Sequence, residues 1–523
     1  MPDMSNPSPS KVYLVGAGPG DPGLITVKGR ACIAAAGVVI YDYLAAPALL
    51  DHAAPDAERI YVGKQGGDHT LPQAEINALI VAKAREGRVV VRLKGGDPYI
   101  FGRGGEEAEA LAAAGIPFEV VPGVTAAVAA AAYAGIPLSH RQMTSTIAFV
   151  TGHEDPRKAD SSIDWPALAR GIGTLVFYMG VKNLPRIVAG LVENGRDPQT
   201  PVALVRWGTT ARQRTVSGTL ADIVARVAAA GLTAPAIIVV GEVVRLREAL
   251  SWFENRPLFG RRIVVTRSRE QASDLVSALS ELGAECLECP TIRVAPPEDC
   301  APLDGAIAEL PQTHWVVFTS VNGVRFFFER LFALGRDVRD LGGVRTAAIG
   351  PATAAALRRF GLNSDLVPES YRAESIVAAF RREELQGRRV LLPRALEARQ
   401  VLPEELAAMG AVVREVPAYR TLAGEGDGGR LERALAEGPI DLVTFTSSST
   451  VRNFKALAAG AGLGPRVAQT PAACIGPITA DTAAALGFDV RVTADTYTIP
   501  GLVAAVTAYF AAGAGGAAGP AGG

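Results

Sequence analysis

The chain has 523 residues, too many for one hydrophobic core; at roughly 150 residues per domain it should divide into about three or four domains. Hydrophobic residues at 49% and charged residues at 20% exclude a fibrous or wholly disordered protein. With 52 basic against 53 acidic side chains the net charge is -1, so no global field draws it to nucleic acid or anionic lipid, and an anionic ligand must be caught by local arginines.

In chain order, the opening "MPDMSNPSPSK" has no apolar segment of the secretory kind, which leads us to expect a cytoplasmic location. The runs "KVYLVGAG", "GVVIYDYL", "RVVVRLKGGD", "STIAFVTGH", "TLVFYMG", "TPVALVRWG" and "APAIIVVGEVV" are short and β-rich, and helical stretches such as 73–86 separate most of them. That alternation predicts an α/β protein with largely parallel, buried strands over residues 11–255, split into two subdomains near 140–146. The uncharged run 120–139 is long enough to span a membrane, but Pro122, Gly123 and Pro137 interrupt it and alanine dominates it. It reads as a buried helix, and no membrane partner is expected.

Two glycine-rich turns in this half invite a phosphate-cradle reading, and the residues reject it. "GAGPGD" has Asp21 where the third glycine of a dinucleotide fingerprint should stand, and Pro19 removes an N–H donor. "RLKGGDPYIFGRGG" lacks the GK[ST] ending of a phosphate-binding loop. Asp21 and Asp97 stand beside the glycines, where a carboxylate repels phosphate; a ligand with an adenosine, an ammonium and a sulfonium suits such turns better.

A Pro-Gly punctuated joint at 256–260 begins a second pattern, which we place at 261–510. There the chain repeats itself as 260–386 and 387–510. "GRRIVVTR" from Gly260 and "GRRVLLPR" from Gly387 lie 127 residues apart, as do "FTSVNGVRFF" from Phe318 and "FTSSSTVRNF" from Phe445; "IGPATA" and "IGPITA" are offset by 126. Two similar α/β domains facing a cleft are expected. Cys286 and Cys289 form the only close cysteine pair, and with no second pair to complete a zinc site no metal is expected. "TSVNG", "GPATA", "TSSST" and "GPITA" each follow a strand and precede a helix, an arrangement that binds anions through free backbone N–H groups. Arg267 and Arg394 sit at matching strand ends, where open α/β folds place ligands. The final "AAGAGGAAGPAGG", 511–523, reads as a disordered tail.

Eight motifs in order, "VYLVGAGPGDPGLITVKG", "VIYDYL", "VGKQGGDHTLPQAEIN", "VRLKGGDPYIFGRGGEE", "VPGVTAA", "GIPLSHR", "VTGH" and "FYMG", resemble the tetrapyrrole methylases, in particular uroporphyrinogen-III C-methyltransferase. The resemblance implies a homodimer of two α/β domains per chain that binds S-adenosyl-L-methionine and transfers two methyl groups to uroporphyrinogen III, giving precorrin-2 for sirohaem or cobalamin. It places Pro19, Gly95, Gly96, Asp97, Ile100, Thr125, Ala126, Met179 and Gly208 in the cofactor pocket. It makes Asp42 a proton acceptor and Lys64 a proton donor; a helix cap for Asp42 and a propionate contact for Lys64 are the alternatives. Gln65 stands where many relatives carry a basic residue. Arg103 and Arg141 are candidates for the substrate carboxylates, with a solvated surface role as the alternative.

"FTSxxxV", "IGPxTA", "VPAYRT" and the duplication resemble uroporphyrinogen-III synthase, which closes hydroxymethylbilane with loss of water and no cofactor. The implied architecture is a two-domain tetrapyrrole methylase fold followed by a duplicated two-domain α/β synthase fold, one domain formed by 261–293 plus 420–510 and the other by 294–419. Tyr419 corresponds to the candidate that assists departure of the hydroxyl, with an interdomain hinge role as the alternative. Thr353, Ser447 and Thr479 correspond to cleft hydroxyls. Two competing readings of function are a methyltransferase for a later corrinoid precursor, and a second half that binds tetrapyrroles without catalysis.

Overall fold

The computed structural model describes residues 11–63, 71–153, 162–266, 269–368, 373–396, 400–423 and 428–514. The chain forms two compact units, one containing Met1–Arg261 with Leu279–Glu285 and the other Arg262–Ala278 with Cys286–Gly523.

In the first unit, β1 (Val12–Gly16), β2 (Val38–Tyr41), β3 (Glu58–Tyr61), β4 (Val90–Lys94) and β5 (Phe118–Val121) form one sheet in the order β3-β2-β4-β1-β5. Every pairing in it is parallel, as apolar strands joined by helical crossovers require. The second sheet holds β6 (Ile147–Thr151), β7 (Thr174–Tyr178), β8 (Pro201–Arg206), β9 (Arg214–Thr219) and β10 (Ala236–Val240), ordered β6-β7-β10-β8-β9. Here only β6 with β7 is parallel, and the expectation of largely parallel strands is corrected. The reason is local: the short connection from β8 to β9 returns the chain as a hairpin, with no room for a crossover helix.

The expected subdomain cut at 140–146 also moves. The alanine-rich helix Ala126–Tyr133 buries Ala127, Ala130 and Ala131 against Val176, Ala203, Val205 and Val239 of the second sheet. The change of core therefore falls between Val121 and Ala126, because small side chains let that helix seat closely on β7, β8 and β10. The run 120–139 is accordingly a strand end and a short buried helix; among the described residues no helix is long and apolar enough to cross a membrane.

The second unit contains β11 (Arg262–Val265), β12 (Glu285–Glu288), β13 (Ile292–Ala295), β14 (Trp315–Phe318), β15 (Arg345–Ala348), β16 (Arg389–Ala395), β17 (Val412–Ala423), β18 (Leu442–Phe445), β19 (Pro471–Cys474) and β20 (Asp489–Thr493). They form two sheets, β12-β11-β18-β19-β20 and β13-β17-β16-β14-β15. β11 of the first sequence copy, with β12 beside it, pairs with β18 of the second, while β16 and β17 of the second copy pair with β14 and β13 of the first. The copies have exchanged their leading strands, so the repeat in sequence is not the domain in space. β13 pairs antiparallel with the far end of β17, Ile292 against Ala423 through Ala295 against Arg420. The expected cuts at 293/294 and 419/420 thus fall inside paired strands. The helix Ile499–Ala514 also continues into the stretch read as a tail, and 515–523 lie outside the described residues.

Candidate functional site

Three loops of the first unit converge at the C-terminal ends of β1, β4 and β5. Gly18 and Gly96 bridge their backbones, Gly96 N donating to Gly18 O at 2.7 Å. Gly96 has φ +70, and a Cβ on Gly123 would lie 2.3 Å from Gly96 O and 2.7 Å from Gly16 Cα. Both are backbone atoms that cannot step aside. Gly123→Ala is expected to cost about 1–3 kcal/mol, measured by urea unfolding.

Asp97 clamps this cradle: Oδ1 accepts from Tyr99 N at 2.8 Å and Oδ2 from Gly123 N at 3.0 Å. Asp21 accepts from Gly23 N at 2.8 Å and from the Tyr133 hydroxyl at 2.7 Å. Burial, with help from that carboxylate, pushes the Tyr133 phenol far above its usual range. Two carboxylates and bare backbone at the turns disfavour phosphate and fit a ligand with an uncharged adenosyl end and a cationic centre, as S-adenosyl-L-methionine has.

Opposite the cradle stand residues of the second sheet. Tyr178, at the end of β7, bonds Thr125 Oγ1 through its hydroxyl at 2.5 Å and accepts from Ala127 N at 3.1 Å. Burial raises its pKa. Next to it Met179 has φ 54 and is 52% exposed, so its thioether stands free of the core. Rings meet here too, Phe101 against Tyr178 at 5.0 Å and Tyr43 edge-on to Trp207 at 5.6 Å. The fold therefore brings Pro19, Gly95, Gly96, Asp97, Thr125, Ala126, Met179 and Gly208 onto facing loops. Ile100 belongs to an exposed apolar group with Tyr99 and Phe101.

Asp42 follows β2; its Oδ1 accepts from Leu44 N at 3.1 Å and its Oδ2 from Arg92 Nη2 at 3.3 Å. It caps a turn at a strand end and caps no helix. Lys64 lies outside the described residues. Behind Asp42 is a buried charge cluster: Glu107 Oε1 accepts from Arg92 Nε at 3.1 Å, Lys94 Nζ at 2.8 Å and Gln73 Nε2 at 3.1 Å. Burial, then the Arg92 charge, lowers the Lys94 pKa against the pull of Glu107. Of the charges in "RLKGGDPYIFGRGGEE", then, Arg92, Lys94 and Glu107 turn inward and only the Arg103–Glu106 pair, bidentate at 2.8 Å, is exposed. Arg141 is exposed.

In the second unit Tyr419 lies on β17, 9% exposed, its ring stacked on Phe326 and its hydroxyl 3.0 Å from Ser320 Oγ. Ser320 caps the helix Val321–Ala333, accepting from Gly323 N at 2.9 Å. Ser447, its counterpart in the repeat, caps Ser448–Gly460 and meets Ser449 Oγ at 2.9 Å. Thr353 and Thr479 are buried in the first turns of Pro351–Arg358 and Pro477–Ala485, helices whose N-caps Gly350 and Gly476 offer no side-chain acceptor. Arg394 is buried on β16, 3.6 Å from Glu415, and burial lowers its pKa. Arg267 lies outside the described residues. Among the described residues no cluster could hold a metal ion.

Sequence reasoning missed Tyr178, Ser320 and the Glu107 cluster. "VVRLK" offered a signal, since charges inside a strand buried at all five positions need partners.

The family model "Tetrapyrrole (Corrin/Porphyrin) Methylases" matches residues 11–224, and "Uroporphyrinogen-III synthase HemD" matches 273–504. The chain is 38% identical over 472 residues to the porphyrin biosynthesis protein HemD of Ruminiclostridium josui, covering 90% of this chain and 93% of that one. It is 44% identical to the uroporphyrinogen-III C-methyltransferase of Bacillus subtilis, covering 69% of this chain and 74% of the relative. The S-adenosyl-L-methionine-dependent uroporphyrinogen III methyltransferase of Methanosarcina barkeri is 56% identical over 46% of this chain and 94% of its own length.

Proposed function

The chain belongs to the family of porphyrin biosynthesis proteins that join a tetrapyrrole methylase to a uroporphyrinogen-III synthase, and from that premise we propose how its residues divide two successive reactions. The second half closes hydroxymethylbilane to uroporphyrinogen III with loss of one water. The first half moves two methyl groups from two molecules of S-adenosyl-L-methionine to carbons of that ring, giving precorrin-2, two molecules of S-adenosylhomocysteine and two protons. The observation that carries this reading is a single relative alignable through both halves, over 90% of this chain.

Bound in the cradle, the cofactor supplies a methyl group on a positively charged sulfur. The backbone of Gly95 and Gly96 and the Thr125–Ala126 helix start hold its polar ends, Asp97 keeps the cradle shut, and Pro19, Ile100, Met179 and Gly208 give it apolar walls. Methylating a ring carbon leaves a cationic carbon that must lose a proton. Asp42, oriented by Arg92, takes it and releases it to solvent, and a proton that Lys64 gives to the ring is matched by a further one lost from it, so that one proton leaves per methyl group. Arg103 and Arg141 receive substrate carboxylates; Arg103 must leave Glu106 or share it.

In the second half, Tyr419 donates a proton to the departing hydroxyl while Ser320 fixes its direction. The helix starts at Ser447, Thr353 and Thr479, with Arg267 and Arg394, hold the carboxylate arms of the bilane. Tyr419→Phe is expected to slow formation of the type III ring about a hundredfold, the low end of proton-transfer contributions. Undiminished type III formation would remove Tyr419 from the mechanism.

The first half also forms a homodimer, a reading supported by the exposed Tyr99 and Phe101, at 52% and 42%. Tyr99→Glu should shift the sedimentation mass from dimer to monomer. A monomeric wild type would end this reading. The assignment of substrate is tested by consumption of S-adenosyl-L-methionine, which uroporphyrinogen III must stimulate and later corrinoid precursors must not.

A further inference from the structure

The turn that carries Gly208 is strained on both sides. Trp207 has φ 50 and Thr209 φ 70, left-handed values that neither a bulky nor a β-branched residue adopts without outside support. The turn is also tightly seated: a Cβ on Gly208 would lie 2.2 Å from Ala130 Cβ, and one on Gly20 would lie 2.7 Å from Thr210 Cγ2. A shift of this turn therefore disturbs the helix that starts at Ala126 and the loop that carries Pro19, both walls of the pocket assigned above.

Its support comes from Asp21 and, relayed by Gln213 at the end of the same connection, from Glu254. Thr209 N donates to Gln213 Oε1 at 2.8 Å, and Thr209 Oγ1 accepts from Asp21 N at 3.0 Å. Gln213, 3% exposed, turns its Nε2 to Glu254 Oε1 at 2.8 Å, and Thr215 Oγ1 donates to the same oxygen at 2.6 Å. The other oxygen of Glu254 takes Arg247, whose guanidinium also donates to Ala134 O at 2.5 Å. A carboxylate can only accept. Facing Glu254, the Gln213 amide must present its NH₂, which leaves its carbonyl as the acceptor that Thr209 N requires.

We propose that Glu254 is a positioning residue for the cofactor pocket, acting through Gln213 to hold the 207–210 turn in its left-handed form. It makes no contact with the cofactor. The last residues of the methyltransferase half, just before the joint to the synthase, thus belong to its binding apparatus. The proposal rests on the placement of the pocket given above.

The test titrates S-adenosylhomocysteine into full-length protein, well below the melting midpoint of each variant, for wild type, Gln213→Ala, Glu254→Ala, the double variant and Ala126→Leu. Both single variants should raise Kd about tenfold, the effect of losing one buried hydrogen bond. The double variant should bind no more weakly than Gln213→Ala, and the KM for S-adenosyl-L-methionine should rise while kcat holds. A merely structural role would lower the melting midpoint and leave Kd unmoved. If Ala126→Leu weakens binding but the other variants do not, or if the two single effects add, the positioning claim falls. If Ala126→Leu binds like wild type, the pocket is elsewhere and both readings fall together.

Discussion

Asp42→Asn should slow methyl transfer to uroporphyrinogen III by about 10²–10⁴, the contribution of a positioned proton acceptor, while leaving the KM for S-adenosyl-L-methionine near its wild-type value. The substitution preserves shape and the Leu44 N contact at Oδ1, and Arg92 retains Glu107 at 3.1 Å, so the fold keeps its buried pair. What disappears is the capacity to take a proton from the newly methylated carbon. Single-turnover kinetics separate this from a binding defect: the asparagine variant should bind both substrates and stall after mixing. A variant that transfers methyl groups at the wild-type rate would show that the proton leaves to solvent or to another group, and that Asp42 only shapes the turn.

The second large effect concerns stability. Glu107→Leu leaves Arg92 and Lys94, 3% and 4% exposed, without their shared carboxylate, and removing one partner of a buried ion pair costs about 3–5 kcal/mol. Urea unfolding should show that loss in the first unit, with ring closure by the second unit retained. Burial already holds the Lys94 pKa below its ordinary value of 10.5, so between the two values the unfolded chain binds more protons and stability rises with pH. Without Glu107 the window widens, and alkaline conditions should recover part of the lost stability. A variant within about 1 kcal/mol of wild type would mean that water enters and solvates both cations.

The strands of the first half were legible because buried sheets favour apolar runs, as "VYLV" and "VVIY" show. Strand partners were not. Periodicity states that a segment is a strand and is silent on its neighbour, so the exchange of leading strands between the copies is invisible in a repeat that aligns residue for residue, and its expectation came from the family resemblance alone. The antiparallel character of the second sheet depends on the length of one connection, 207–213, whose conformation is set by Gln213 at its end and by Asp21 from outside it. At the site, glycines and aspartates of the cradle stood out because both types are costly unless a turn needs them. Tyr178, Gln213 and Glu254 did not, since their roles arise from contacts between distant segments, 53 residues apart for Tyr178 with Thr125 and 41 for Gln213 with Glu254.

If one polypeptide performs ring closure and then methylates its own product, a single incubation shows both steps. Purified full-length protein is given hydroxymethylbilane anaerobically, with and without S-adenosyl-L-methionine, and the products are identified by mass and ring isomer. Type III macrocycle without the cofactor, and the dimethylated ring with it, is the predicted result. Closure only to the spontaneous type I isomer, with no methylated product from it, would contradict the account and leave the second half a binding module.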